Sequence, residues 1–234
     1  MLHNEQSYTL NWPMRISFFC ATPALEQGRT PLADSRRVLS RLSPATIGRF
    51  ERLGVLYVRN YLDGISLPWS VAFQTEDRRE VEAYCCTVSV DVEWIGGDRL
   101  RTRQVRPAIR THPQTCERTW FNHALFFHVT SLPAEISRSL RAALPEEDLP
   151  YNTFYGDGSP IDDATLGELR AAYKAETVSF PWERGDVLLL DNMLVAHGRE
   201  PFVGPREVRA AMADPYAKLH GSAKATPNAV AAAS

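Results

Sequence analysis

The residues of this 234-residue chain best placed for chemistry lie at its two ends. Near the start, His3-Asn4-Glu5 sets an imidazole and a carboxylate two positions apart. In extended backbone such residues project to the same side, so the two groups converge as donors. Taken alone, the pair is also what a solvated surface carries. Far downstream, Asp191-Asn-Met-Leu-Val-Ala-His197-Gly-Arg199 follows the apolar run Val187–Leu190, which predicts a short strand delivering His197 to one end of a sheet. By itself His197 reads equally as a core histidine satisfied by backbone. Gly204-Pro205-Arg206 then opens a further candidate strand on which Arg206, Val208, Ala210 and Met212 share a face. A guanidinium leading an otherwise apolar face either reaches the rim or points at an anion inside. Arg209 falls on the other face of a regular strand.

The elements that must hold these residues mix strands and helices. The segment from Arg15 to Ala21 has the content of a buried strand. Asp34 is placed to cap a helix from Ser35, and Ser43-Pro44 to open another. A third helix is expected over Thr75–Cys85, and a hairpin from an alternating strand at Val88–Trp94, a turn at Gly96-Gly97-Asp98 and a return over Leu100–Val105. Tyr151–Pro160 reads as an aromatic loop, either lining a pocket or packing on itself. The helix after it starts at Ser159 and runs to about Glu176. Strands separated by helix-bearing insertions point to a mainly β domain, a barrel or sandwich with helical insertions, spanning residues 1–216. The small-residue stretch 217–234 is expected to be a frayed tail, with His220 in it. A dinucleotide-binding fold is disfavoured because no glycine-rich loop joins a strand to a helix.

In combination and in order, these motifs resemble the iron(II)- and 2-oxoglutarate-dependent dioxygenases, and within them the TauD/TfdA superfamily and its clavaminate synthase-like and peptide-synthetase-associated branch. Gly28-Arg29-Thr30 lies where that family has a Gly-x-x-Thr turn. Arg110-Thr-His112-Pro-Gln-Thr-Cys116 looks like its Arg-x-His-Pro-x-Thr-Gly segment, with Cys116 replacing the glycine, and leads to Asn122. The resemblance implies a double-stranded β-helix (jelly roll), with His3, Glu5 and His197 as iron ligands. Two neutral imidazoles and a carboxylate occupy one face of the ion and leave three positions open. Arg206 would hold the far carboxylate of 2-oxoglutarate with its two-pronged guanidinium, Thr30 would add a hydroxyl donor, and Arg209 is the fallback. Glu5 in the carboxylate position implies hydroxylation, or a related desaturation or cyclisation, rather than halogenation. Ala210 stands where some members carry a second arginine for an anionic substrate. The family usually has more chain before the first motif, so the resemblance is to a member lacking its N-terminal portion and the jelly roll is expected to be incomplete there.

The implied partners are dioxygen and a small molecule, a free or carrier-bound amino acid being favoured by the branch. The competing reading is a non-catalytic fragment or pseudo-enzyme that binds a partner through the arginines of the hairpin, and a zinc hydrolase is a third. Arg99, Arg101 and Arg103 share a strand face, which is either a docking patch for an acidic carrier or a solvated surface. His123 and His128 are five apart, a spacing that suits a second metal site on neither strand nor helix. Basic and acidic residues nearly balance, 26 against 28, so composition gives no reason to bind nucleic acid or an anionic membrane. No apolar run approaches the roughly 20 residues of a membrane span. Four cysteines without a CxxC pair favour a reducing cytoplasmic setting. Oligomeric state, including a homo-oligomer, is open.

Overall fold

The computed structural model describes residues 1–62 and 64–217. In chain order the elements are β1 (Asn11–Thr22), β2 (Glu26–Gln27), β3 (Leu32–Asp34), α1 (Ser35–Ser40), α2 (Pro44–Leu53), β4 (Val55–Tyr61), α3 (Trp69–Phe73), α4 (Arg78–Thr87), β5 (Asp91–Ile95) and β6 (Arg99–Arg106). They continue with β7 (Ile109–Thr111), β8 (Arg118–Trp120), α5 (Ala134–Ala143), β9 (Tyr151–Tyr155), α6 (Asp163–Glu176), β10 (Val187–Asp191), β11 (Val195–His197), β12 (Phe202–Val203) and β13 (Glu207–Ala217). The expected mainly β architecture with helical insertions is what forms. Of the expected tail, only Ala217 falls within the described residues, as the last residue of β13; residues 218–234, His220 included, lie outside them.

Two sheets carry the molecule. One has the order β10-β1-β13, antiparallel throughout, with Ile16 paired to Leu190 on one side and to Met212 on the other. The other has the order β5-β6-β4-β9. Short ladders β3·β11, β2·β12 and β7·β8 complete the strand pairing. Alternation along β10 places Leu190 inside but leaves Val187 and Leu189 70% and 61% exposed, so this all-apolar run has one inner and one outer row. The main core gathers Val38, Phe50, Val55, Trp120, Tyr155, Leu166 and Leu169 from both strands and helices. Phe50 meets Trp120 edge to face at 5.0 Å. A smaller cluster, with Tyr61, Trp69, Val81 and Leu100, fixes α3 and α4 to the edge of the four-stranded sheet.

Cap chemistry explains where the helices begin. The Asp34 carboxylate accepts from the N–H groups of Arg36 and Arg37, and the Ser43 hydroxyl accepts from Thr46, as their residue types predict. The third helix starts at Arg78 rather than at Thr75, because Asp77 takes the cap by accepting from Arg79. Thr75 instead bonds the Asp77 N–H and the Glu80 carboxylate. Val88 and Ser89 close that helix, Ser89 with φ 52°, which delays the strand to Asp91. Asp162 caps the last helix, so it starts at Asp163, and Pro160 bridges back to Phe154. The expected aromatic loop at Tyr151 is therefore strand β9, with Tyr155 buried in the core.

Residues 3–5, an irregular segment outside the named strands, are tied on both flanks. Asn192 is fully buried; its Oδ1 accepts from the Glu5 N–H at 2.7 Å, and its Nδ2 donates to the Glu5 carbonyl at 2.9 Å and the Pro13 carbonyl at 2.8 Å. Asn4, also fully buried, donates to the Ser35 hydroxyl at 3.0 Å and to the Asn192 carbonyl at 2.7 Å. Asn192→Ala orphans three backbone groups, one buried and two half-buried, and is expected to lower unfolding stability by about 2 kcal/mol. Chemical denaturation measures this, and unchanged stability would mean the bracket around Glu5 carries no weight.

Candidate metal centre

His3 and His197 face each other as an antiparallel bridge: the His3 N–H donates to the His197 carbonyl at 2.9 Å and the His197 N–H to the His3 carbonyl at 2.8 Å. The expected extended pair of His3 and Glu5 is bent, since Glu5 opens a turn in which Gln6 has φ 54°, yet the two side chains still converge. Donor atoms of His3, Glu5 and His197 all lie within 4.8 Å of one another, the one such group among the described residues. His3 Nε2 is 3.8 Å from a Glu5 carboxylate oxygen, and the two imidazole centroids are 4.7 Å apart.

The protonation states suit a cation. Burial, aided by the neighbouring His3, pushes His197 down to about 3, so its ring is neutral and offers a lone pair. Burial alone would raise Glu5. The hydrogen bond and charge of His3, the charge of His197 and the Gln6 N–H together outweigh it and hold the carboxyl below its ordinary value. Two imidazole nitrogens and one carboxylate oxygen are the donor set of a facial metal site.

Further residues, to which the sequence assigned no such role, support this group. His123, wholly buried, donates from Nε2 to the Asn4 carbonyl at 2.8 Å, and its own N–H donates to the Tyr57 hydroxyl at 2.9 Å. Burial, then His3, drives its pKa well down, so it packs as a neutral ring at 5.5 Å from His3 and is outside the donor group. Phe126 covers the other side of His3 at 4.5 Å. His112 Nδ1 accepts from the Gln114 and Thr115 N–H groups, leaving Nε2–H to donate to Asp191 at 3.0 Å. The other oxygen of Asp191 accepts from Met193 and Leu194, shaping the turn that leads to His197. Cys116, where the resembling motif has glycine, adopts φ 58°, the left-handed conformation that glycine takes without strain. His128 is elsewhere, capping a short helical turn at Thr130.

The expected co-substrate residues divide. Leu32 pairs directly with His197, and the Gly198 N–H donates to the Pro31 carbonyl, so the segment carrying Thr30 runs beside the metal-donor strand. Thr30 is buried, its hydroxyl accepting from Trp182 Nε1 at 3.0 Å. Arg206 donates from Nε to the Gly28 carbonyl at 2.9 Å, which brings it to the same segment. It precedes β13 instead of lying within it. Arg209 is corrected: it pairs with Phe19 on the outer face, is 69% exposed and is ion-paired to Glu207, so it cannot serve as the fallback.

A cleft of about 740 Å³ opens beside the donors, with His3 and Glu5 in its wall together with Tyr8, Tyr57, Arg59, Tyr61, Thr102, Gln104, Phe126 and Tyr151. The arginine hairpin does not form an open patch. Arg99 and Arg101 pair with Asp148, Arg103 with Glu93, and Arg106 is buried against the carbonyls of Val88, Ser89 and Val105.

Compared with known proteins, residues 1–212 match the family model described as taurine catabolism dioxygenase TauD, TfdA family. The chain belongs to this family. Its enzyme class, an iron(II)- and 2-oxoglutarate-dependent dioxygenase, follows from that membership. The dapdiamide synthesis protein DdaC of Enterobacter agglomerans is 41% identical over 227 residues, covering 97% of this chain and 68% of that protein. A clavaminate synthase-like protein of Arabidopsis thaliana is 29% identical, over 90% of this chain and 63% of the relative. The structure of an asparagine oxygenase in complex with Fe(II), 2S,3S-3-hydroxyasparagine and succinate aligns with a TM-score of 0.51 at 14% identity, over 91% of this chain and 49% of that one, a likeness of fold. No helix among the described residues is long and apolar enough to cross a membrane.

The two arginines make opposite predictions. Arg206→Ala is expected to raise the 2-oxoglutarate concentration needed for half-maximal binding by roughly ten- to a hundred-fold, the worth of a charge-assisted pair. Arg209→Ala should leave it within two-fold, about the scatter of an exposed ion pair. Calorimetric titration with 2-oxoglutarate separates them, and a large effect at Arg209 alone would reverse the assignment.

Proposed function

We propose that His3, Glu5 and His197 hold iron(II), that Arg206 and Thr30 receive 2-oxoglutarate, and that the chain hydroxylates, desaturates or cyclises a small amino-acid-like substrate bound in the adjoining cleft. The observation that carries the reading is the three-donor cluster, with His197 neutral and Glu5 ionised, in the wall of that cleft. Its chemistry fits the metal: two nitrogens and one carboxylate oxygen leave room for a chelating co-substrate. When bound, iron and 2-oxoglutarate would couple dioxygen to the oxidation of an unactivated C–H bond, one oxygen atom entering the succinate that forms, with carbon dioxide, from the co-substrate.

The chain's own contribution is positioning and exclusion of water. The His3–His197 bridge and the Asn192 bracket fix the donors before the metal arrives, so little ordering cost remains at binding. Arg206, held at its Nε by the Gly28 carbonyl, keeps its terminal nitrogens for a carboxylate. Tyr8, Phe126 and Phe127 line the cleft next to the donors and keep water from the reacting carbon. A substrate related to amino acids accords with the names of DdaC and of the asparagine oxygenase. The double-stranded β-helix is the fold assigned to the two sheets, supported by the family match. The partner-binding alternative loses its main feature, because the hairpin arginines have partners within the chain. A zinc hydrolase leaves Thr30 and Arg206 without a role. Four unpaired cysteines accord with the cytoplasm.

Anaerobic addition of iron(II) and then 2-oxoglutarate should produce the weak visible charge-transfer band of the chelate, and His197→Ala or Glu5→Ala should abolish both band and turnover. A folded wild-type protein without the band, or either variant retaining it, would overturn the ligand assignment.

A further inference from the structure

The four-stranded sheet carries five arginines on its two central strands, and the chain treats one of them differently. Arg99, Arg101 and Arg103 find carboxylates on Asp148 and Glu93, and Arg106 is enclosed by three carbonyls. Arg59, in the middle of β4, makes no ion pair among the described residues. It lies on the same strand face as Tyr57 and Tyr61, and all three line the cleft that contains His3 and Glu5. Its guanidinium stacks 4.8 Å over the Tyr61 ring, a contact that steadies the cation and leaves its in-plane N–H donors free. Directly across the sheet stand Thr102 on β6 and Tyr151 on β9, both in the cleft wall, each with a hydroxyl. A half-buried cation among apolar walls is costly unless an anion meets it.

The other charges of the cleft among the described residues do not meet that need. Glu5 belongs to the donor group, and Glu80 is exposed at the rim, where the Thr75 hydroxyl donates to it. Tyr8 lies between the two ends of the cleft: its phenol feels both Arg59 and Glu5, and burial chiefly raises its pKa to about 12, so it stays neutral and is no anion for Arg59. A site with one planar cation that meets no carboxylate among the described residues, two flanking hydroxyls and aromatic walls, next to a metal-donor group, is built for a carboxylate attached to a small body.

We infer that Arg59 grips the free carboxylate of the substrate, with Thr102 and Tyr151 beside it, and that this cation restricts the enzyme to carboxylate-bearing, amino-acid-sized molecules. The inference rests on the reading of the cleft as the substrate site. It chooses the free acid over an acid tethered to a carrier through that carboxyl, because a thioester has no charge for Arg59 to meet.

The test uses full-length protein loaded anaerobically with iron(II) and 2-oxoglutarate. The probes are the proteinogenic L-amino acids, each with its α-carboxamide and its N-acetylcysteamine thioester, and the readout is perturbation of the visible band. At least one free acid should bind, with its amide and thioester roughly ten- to a hundred-fold weaker. Arg59→Gln should weaken the acid to the level of the amide without altering the amide, the band or 2-oxoglutarate affinity, and Arg59→Lys should restore part of the loss. Thermal melts of both variants check that they fold. If the band forms but the acid and its derivatives bind equally, if no acid of the panel binds, or if Arg59→Gln leaves acid binding intact, the inference fails. Absence of the band in wild-type protein instead removes the reading beneath it.

Discussion

A two-bond antiparallel bridge between His3 and His197 is the constraint on which the rest of the site depends. It aligns two imidazoles whose backbones lie at opposite ends of the described chain, and every other support acts by holding one side of that bridge. On the His197 side, β11 pairs with β3, while His112 and Asp191 shape the turn before it. On the His3 side, Asn4 and Asn192 bind residues 4 and 5 from beneath, and His123 props the Asn4 carbonyl. Buried amides suit this task because a single side chain both donates and accepts, so a short, irregular segment obtains the pairing that a strand would obtain from a neighbour.

The same economy of partners governs charge. The chain pairs its buried and half-buried cations with carboxylates or carbonyls almost wherever they occur on the four-stranded sheet, and it holds the donor carboxylate of Glu5 ionised with imidazoles. Such pairs add little net stability, since desolvation offsets attraction, but breaking one leaves an uncompensated charge.

What could be read from the sequence divides along physical lines. Caps were legible at Asp34 and Ser43 because their side chains act within one turn, and so was the hairpin around Gly96-Gly97. Starts were misplaced where two capping residues stood close together, as with Thr75 and Asp77, since local chemistry cannot rank them without the tertiary contacts that settle the choice. Of the site, His3, Glu5 and His197 were found because metal donors and their order are a pattern of residue types. Arg206 and Arg209 could be told apart only by strand parity. Parity puts Arg209 on the exposed face, whereas Arg206 falls outside the strand, where parity says nothing. The positioning role of His123 and Asn192 was not legible, because it lies in bonds to backbone carbonyls and amides remote in sequence, which no spacing announces. Tyr151 was ambiguous for a related reason: pairing with β4 turns an aromatic stretch into a strand with one wall in the cleft.

The bridge has a temporal side as well. One of its halves precedes all of the four-stranded sheet in the chain, and the other follows that sheet and both helices α5 and α6. A nascent chain can pack its main core, which draws on β4, α2 and α6, while the donor group does not yet exist. The contact that closes the site spans nearly the whole described chain, the kind of pairing that forms late because loop closure must be met before any bond repays it. An ion therefore has no complete site to enter during synthesis, and metallation belongs to the finished fold.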